Sequence, residues 1–189
     1  MSFLVQTPVT DYHFAMVQIR PALPQDAPGI AQVHIQSWRT SYRGLIADEV
    51  LDNQSLPRRQ GYWEQVLQQH TSGELHCVYV AENEHGEIIG FASGGKSRQE
   101  NLPFEAEMYA LYLFETAKRQ GIGEKLFRAV TEKFRTEGYY SMMLWVLADN
   151  HFARRFYEKM GGRAVTEQMI TIGGKELLEV AYGWDQLQG

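Results

Sequence analysis

Residues 114–130 read FETAKRQGIGEKLFRAV, and the turn inside this stretch decides how the rest of the chain must be arranged. Lys118 and Arg119 stand just before Gly121 and Gly123, and Lys125 and Arg128 follow them. Downstream, Leu126, Phe127, Val130 and Phe134 recur at the spacing of one helical face. Upstream, EAEMYALYL (105–113) alternates like a strand, with Glu105, Glu107 and Tyr109 on one face and Met108 and Ala110 on the other. The two glycines therefore fall where a strand turns into a helix. They remove side chains in front of the first helical amides, whose N–H groups have no partner within the helix and can point at an anion. A diphosphate fits that description, with the basic side chains adding charge. A solvated basic helix start, with glycines needed for packing, is the alternative reading of the same letters. The spelling excludes a Walker A loop, because Gly123 is followed by Glu124, Lys125 and Leu126. It excludes a dinucleotide fingerprint too, because Leu126 stands where a third small residue belongs.

Working outward, VQIRPA (17–22) reads as a short strand, and Asp26 is placed as an N-cap before Ile30, Val33 and Trp38 at helical intervals. A second helix is expected over PRRQGYWEQVLQQH (57–70). LHCVYVAE and IIGFASGG alternate as strands about the turn signal NEHG. YYSMMLWVLA (139–148) is apolar nearly throughout, as a strand covered on both faces should be. NHFARRFYEKM (150–160) reads as a helix ended by Gly161 and Gly162, and RAVTEQMITI, GGK and ELLEVAYGW form a closing hairpin. The order β α α β β β α β α β β predicts one α/β domain over residues 16–189. Residues 1–15 are weakly patterned and are expected to be a flexible leader.

The totals narrow the function. A chain of 189 residues with 44% hydrophobic and 22% charged residues is an ordinary globular composition. A net charge of −5 argues against general nucleic-acid binding, so any anion site is local. No run is long and apolar enough to span a bilayer. The lone Cys77 permits no intrachain disulfide and suits a reducing, cytoplasmic setting; it reads as a buried strand residue. His13, His34, His70, His76, His85 and His151 show no paired ligand spacing, so no metal is implied. Ser37, Ser41 and Ser93 lack the context of a hydrolase nucleophile.

KRQGIGEKL resembles the acyl-CoA pyrophosphate loop of the GNAT superfamily of N-acyltransferases, with Lys118 where Gln or Arg is usual. NHFARRFYEKMGG resembles the second conserved block of that family, with Gly162 where an aromatic often stands. The resemblance covers roughly residues 17–184. It implies a mixed, mostly antiparallel sheet of about seven strands flanked by about four helices, with a parallel, splayed pair at the coenzyme site. It implies acetyl-CoA as co-substrate, held by Leu111, Leu113, Lys118, Arg119, Gln120, Gly121, Ile122, Gly123 and Glu124 and by Asn150, Ala153 and Phe156.

The implied reaction moves an acetyl group to an amine. An alkylammonium has a pKa near 10.4, so a base is required, and Glu107 occupies a position where family members carry one. A half-exposed strand carboxylate is the plain alternative. A backbone N–H near Leu113, freed by a bulge, is the expected donor to the carbonyl oxygen. Tyr157 matches the family's general acid for the departing thiolate. Asn150 reads either as an N-cap or as a ligand of the pantetheine arm. In SWRTSYRG, Trp38, Tyr42 and Arg43 border the expected acceptor cleft; Trp38 also reads as core and Arg43 as a surface cation. A small-molecule amine is favoured as acceptor because the closing hairpin can narrow the groove. A peptide amine, or an acyl-CoA sensor without turnover, are the other readings. The same hairpin leaves a homodimer open.

Overall fold

A computed structural model describes residues 17–68 and 75–187; the expected leader, residues 1–15, lies outside them. The chain runs β1 (Gln18–Pro21), α1 (Ala27–Ser41), α2 (Asp48–Asp52), α3 (Leu56–Gln68), β2 (His76–Glu82), β3 (Ile88–Lys96) and β4 (Ala106–Leu113). It continues with α4 (Ile122–Thr136), β5 (Met142–Leu147), α5 (His151–Lys159), β6 (Arg163–Ile172) and β7 (Lys175–Trp184). The strands form one seven-stranded sheet in the order β1-β2-β3-β4-β5-β7-β6. Every neighbouring pair is antiparallel except β4 and β5, which are parallel.

Each face of the sheet is covered by the helices whose apolar stripes the sequence advertises. α4 buries Leu126, Phe127, Val130 and Phe134 against Met142, Leu144 and their neighbours. Each such side chain contributes roughly 1.5–3 kcal/mol by leaving water. Outside, Glu124–Arg128 and Lys133–Glu137 pair one turn apart. Gly138, at φ +84°, takes the left-handed conformation after the last turn. On the other face α1 and α3 bury Ile30, Val33, Trp63 and Leu67 against Val78, Val80 and Phe91.

One local expectation is corrected. Asp26 does not cap α1 with its side chain. It accepts instead from the Leu23 N–H at 2.7 Å and from Arg20 at 2.6 and 2.9 Å. Despite burial, which opposes this, its pKa is lowered because Arg20 and the Leu23 amide hold the carboxylate charged. Among the described residues the α-helices number five, against the expected about four, because α2 adds a single turn. It is too short to show a period, and it is anchored by the fully buried Leu51 and by Arg43, which pairs Asp48 at 3.1 Å and Asp52 at 2.9 Å.

Two irregularities open the sheet at its centre. β4 and β5 pair only at Ala106↔Met142 and Glu107↔Met143, then separate. In the β3–β4 ladder Ala110 faces Ser93 and Met108 faces Gly94, so Tyr109 is an extra residue, a β-bulge. The bulge lies four positions before Leu113, whose N–H is the expected donor; register is set across strands and leaves no local mark. At the far end the β6–β7 tip docks on the α1–α2 segment. A Cβ on Gly173 would lie 2.1 Å from Val50, and Lys175 donates to the Leu45 carbonyl at 2.8 Å.

Candidate active site

The gap between β4 and β5 is a cleft of about 300 Å3. One wall is Met108–Leu113, the other Leu144–Val146, and the starts of α4 and α5 close the ends. Phe114 N–H donates to Ile89 of β3 at 3.0 Å. By strand alternation the backbone groups of Leu113 and Leu111 turn the other way, toward the cleft. The Leu113 carbonyl accepts there from the buried Ser37 hydroxyl at 2.8 Å.

At one end stands the glycine turn. Gly121 is the N-cap of α4 at φ +77°, and a Cβ built on it would meet nothing within 4 Å. The glycine is thus demanded by backbone conformation, and the space beside it is open. The first N–H of α4 to find a helical partner is that of Lys125, which donates to Gly121 at 3.1 Å. The amides of Ile122, Gly123 and Glu124 are the orphan donors of the helix start. Lys118 and Arg119 line the same end, and Arg119 itself holds φ +62°. Lys118 pairs with Glu115 at 2.7 Å and lies 5.6 Å from the Phe152 ring. Open space, orphan donors and cations together fit a diphosphate.

Farther in, α5 places Tyr157 on the cleft wall. Only 8% of the residue is exposed, and burial holds the phenol's pKa well above its usual 10. Its hydroxyl has no hydrogen-bond partner among the described residues. Asn150 does cap α5, its Oδ1 accepting from the Ala153 N–H at 3.2 Å. The side chain's NH2 group remains as a donor on the cleft wall.

Of the residues expected to hold coenzyme, Leu111, Leu113, Lys118, Arg119, Gly121, Gly123, Glu124, Asn150, Ala153 and Phe156 line this cleft. Gln120 and Ile122 do not. Gln120 turns back to the Thr116 carbonyl at 2.7 Å, and Ile122, 2% exposed, belongs to the core. Tyr42 lines the cleft, its hydroxyl 3.3 Å from that of Tyr112, which also accepts from Trp38 Nε1 at 3.1 Å. Trp38 packs behind with Ile46 and Leu51, and Arg43 faces Asp48 and Asp52 at the surface, outside the cleft.

Glu107 opens onto a second pocket, lined by Arg98, Gln99, Gln168 and Glu179 and sharing Met108, Tyr109 and Trp145 with the first. It is 1% exposed, and Arg98 holds both its oxygens: the Arg98 N–H and Nε donate to Oε2 at 3.0 and 3.1 Å, and Nη2 grips Oε1. Arg98 also stacks on Tyr109 at 4.2 Å. Arg98 comes from the loop after β3, and Gln168 and Glu179 are partners across the β6–β7 hairpin far downstream; no local pattern marks their meeting. Phe152 and Lys159, also on the main cleft, sit inside the quoted α5 block and were within reach of helical spacing.

The sequence profile of the acetyltransferase (GNAT) family matches residues 36–162, which span β4, the glycine turn and α5. The chain belongs to the GNAT acetyltransferase family. The "Uncharacterized N-acetyltransferase YuaI" of Bacillus subtilis (strain 168) is 36% identical over 172 residues, 91% of this chain and 95% of that protein. An "L-methionine sulfoximine/L-methionine sulfone acetyltransferase" of Pseudomonas aeruginosa is 24% identical over 161 residues, 83% of this chain and 86% of that one. The PaiA N-acetyltransferase from Thermoplasma acidophilum, solved in complex with coenzyme A, superposes with a TM-score of 0.69 at 20% identity. It covers 87% of this chain and 98% of its own. This GNAT protein is thus an acetyl-CoA-dependent N-acetyltransferase built on the family's fold. Among the described residues no helix is long and apolar enough to cross a membrane, and no cluster of His, Cys, Asp or Glu could hold a metal.

Proposed function

We propose that this acetyltransferase moves an acetyl group from acetyl-CoA directly to the primary amine of a small molecule. The observation that carries the reading is the pairing of two cavities through Met108, Tyr109 and Trp145, one with orphan helix-start amides, the other with carboxylates. The amides of Ile122, Gly123 and Glu124 receive the diphosphate. The splay edge at Leu111 and Leu113 and the Asn150 side-chain amide flank the pantetheine arm. A splay-edge N–H of β4, between the Tyr109 bulge and Leu113, stabilises the charge that builds on the carbonyl oxygen. The acceptor enters from the second pocket, where Glu107 or Glu179 supplies the base.

Tyr157 donates to the departing sulfur. A phenol held above 10 cannot hand a proton downhill to a thiolate whose conjugate acid lies near 8.5. Its first contribution is therefore a hydrogen bond that strengthens as charge develops, with the proton following. A small acceptor is favoured because the β6–β7 tip is held down on Val50 and Leu45 instead of standing free beside an open groove. The named activity of the Pseudomonas relative, on small amino-acid derivatives, points the same way. Thiol release from acetyl-CoA, screened over small amines including L-methionine sulfone and over lysine-containing peptides, tests this. Turnover confined to the small amines is expected. Turnover with peptides alone would refute the acceptor class, and none with any amine would refute catalysis.

A further inference from the structure

The second pocket holds two carboxylates in different circumstances. Both oxygens of Glu107 are taken by Arg98, which also neutralises its charge. Glu179, on β7 opposite Leu147 of β5, is bound only through Oε1, by Gln168 of β6 at 2.6 Å. Its other oxygen has no partner among the described residues. The Arg98–Glu107 pair being neutral, Glu179 leaves the pocket with one net negative charge. The walls toward the coenzyme cleft are Tyr109, whose ring already carries Arg98 on one face, and Trp145, an aromatic surface that favours a cation. Trp145 Nε1 is also buried, with no hydrogen-bond partner among the described residues.

We propose that Glu179 receives the acceptor's ammonium group and takes its proton, while Glu107 serves to hold Arg98 in place. This rests on the acetyltransferase reading and replaces Glu107 as the expected base. Burial raises the Glu179 carboxyl, the Gln168 hydrogen bond opposes this, and the nearby Glu107 charge adds to the rise. The other charged or titratable groups around it are Arg98, Tyr109 and, from α1's end, Tyr42, whose phenol feels the Glu179 charge. The ammonium loses one proton to the Glu179 carboxylate, which passes it to solvent, and the freed lone pair forms the N–C bond. The second leaves the nitrogen after that bond forms and ends on sulfur as the C–S bond breaks, with Tyr157 donating there. Glu179 offers an oxygen with no partner among the described residues, whereas Glu107 already accepts three hydrogen bonds from Arg98 across both of its oxygens.

Carboxyl-carbon NMR of glutamate-labelled protein, assigned with Glu179→Gln and Glu107→Gln, tests the site with n-propylammonium as probe. A saturable shift of the Glu179 signal, with Glu107 silent, is expected. A shift at Glu107 alone, or at neither, overturns the proposal. In the rate assay with the best amine, Glu179→Gln should lower kcat/KM about 100-fold or more, abolish its acid limb and leave the KM for acetyl-CoA unchanged. An acid limb that survives in Glu179→Gln but disappears in Glu107→Gln also overturns it. The underlying reading fails separately, by the loss of any acetyl-CoA-induced rise in melting temperature.

Discussion

Replacing Gly121 with Ala separates the stability of the glycine turn from its use. At φ +77° an alanine costs about 1–2 kcal/mol of left-handed strain, offset by about 0.4–1 kcal/mol because the unfolded chain is stiffened. No atom stands within 4 Å of the new Cβ, so no packing penalty is added. The net loss is about 1 kcal/mol, a fall of about 2–4 °C in Tm for a domain of this size. The new methyl, however, points into open space beside the orphan amides of Ile122, Gly123 and Glu124. Weakening one hydrogen bond from these donors to a charged phosphate costs about 1.5–3 kcal/mol. That corresponds to a roughly 10- to 100-fold rise in KM for acetyl-CoA. Thermal melts with and without acetyl-CoA, alongside KM from thiol release, read both effects. A small drop in the free protein's Tm with most of the ligand-induced rise lost is expected. A variant that melts lower yet keeps the wild-type KM would refute the idea that this turn seats the diphosphate.

Tyr157→Phe should keep KM for acetyl-CoA and lower kcat about 100-fold, since it removes only the donor to the leaving sulfur; an unchanged kcat by thiol release would remove Tyr157 from that role. Gly94→Ala should destabilise by about 1–3 kcal/mol in urea, because its Cβ would lie 2.6 Å from Phe134 and 2.9 Å from the Glu107 carbonyl, in a central strand that cannot yield. Burial pushes His34 down to about 3, with a smaller contribution from Arg59, while Trp63 Nε1 donates to its Nδ1 at 3.3 Å. Between pH 6.5 and about 3 the unfolded chain therefore binds a proton that the folded chain refuses, so stability falls with pH through that window. The loss is a few kcal/mol at most, at about 1.4 kcal/mol per pH unit. Urea titrations from pH 7 to 4 should show a shallower slope in His34→Gln.

What the sequence disclosed follows from how each feature is encoded. The glycine turn, the apolar stripe of α4 and the α5 block are local, and their letters carry the backbone conformation and the exposed donors directly. The unbroken apolar run of β5 likewise declares a strand buried on both faces. The bulge at Tyr109 is different, since it exists only in the offset between Ser93–Gly94 and Met108–Ala110. Arg43 shows what proximity in sequence leaves open: it reads both as a cleft cation and as a surface arginine, and in the fold it pairs with Asp48 and Asp52 of the adjacent α2. Glu107 was legible as a carboxylate on the right strand. That Arg98 closes around it, and that Glu179 arrives from β7, depends on strand order and pairing that no single segment contains.

Backbone-amide NMR during titration with coenzyme A is the most direct test of the central claim, that the β4–β5 gap takes the coenzyme with its diphosphate on the start of α4. The amides of Ile122, Gly123 and Glu124 should shift most, together with Leu111 and Leu113. Pantetheine, which lacks the diphosphate, should move only the strand-edge pair. Shifts that leave the Ile122–Glu124 amides untouched would contradict it.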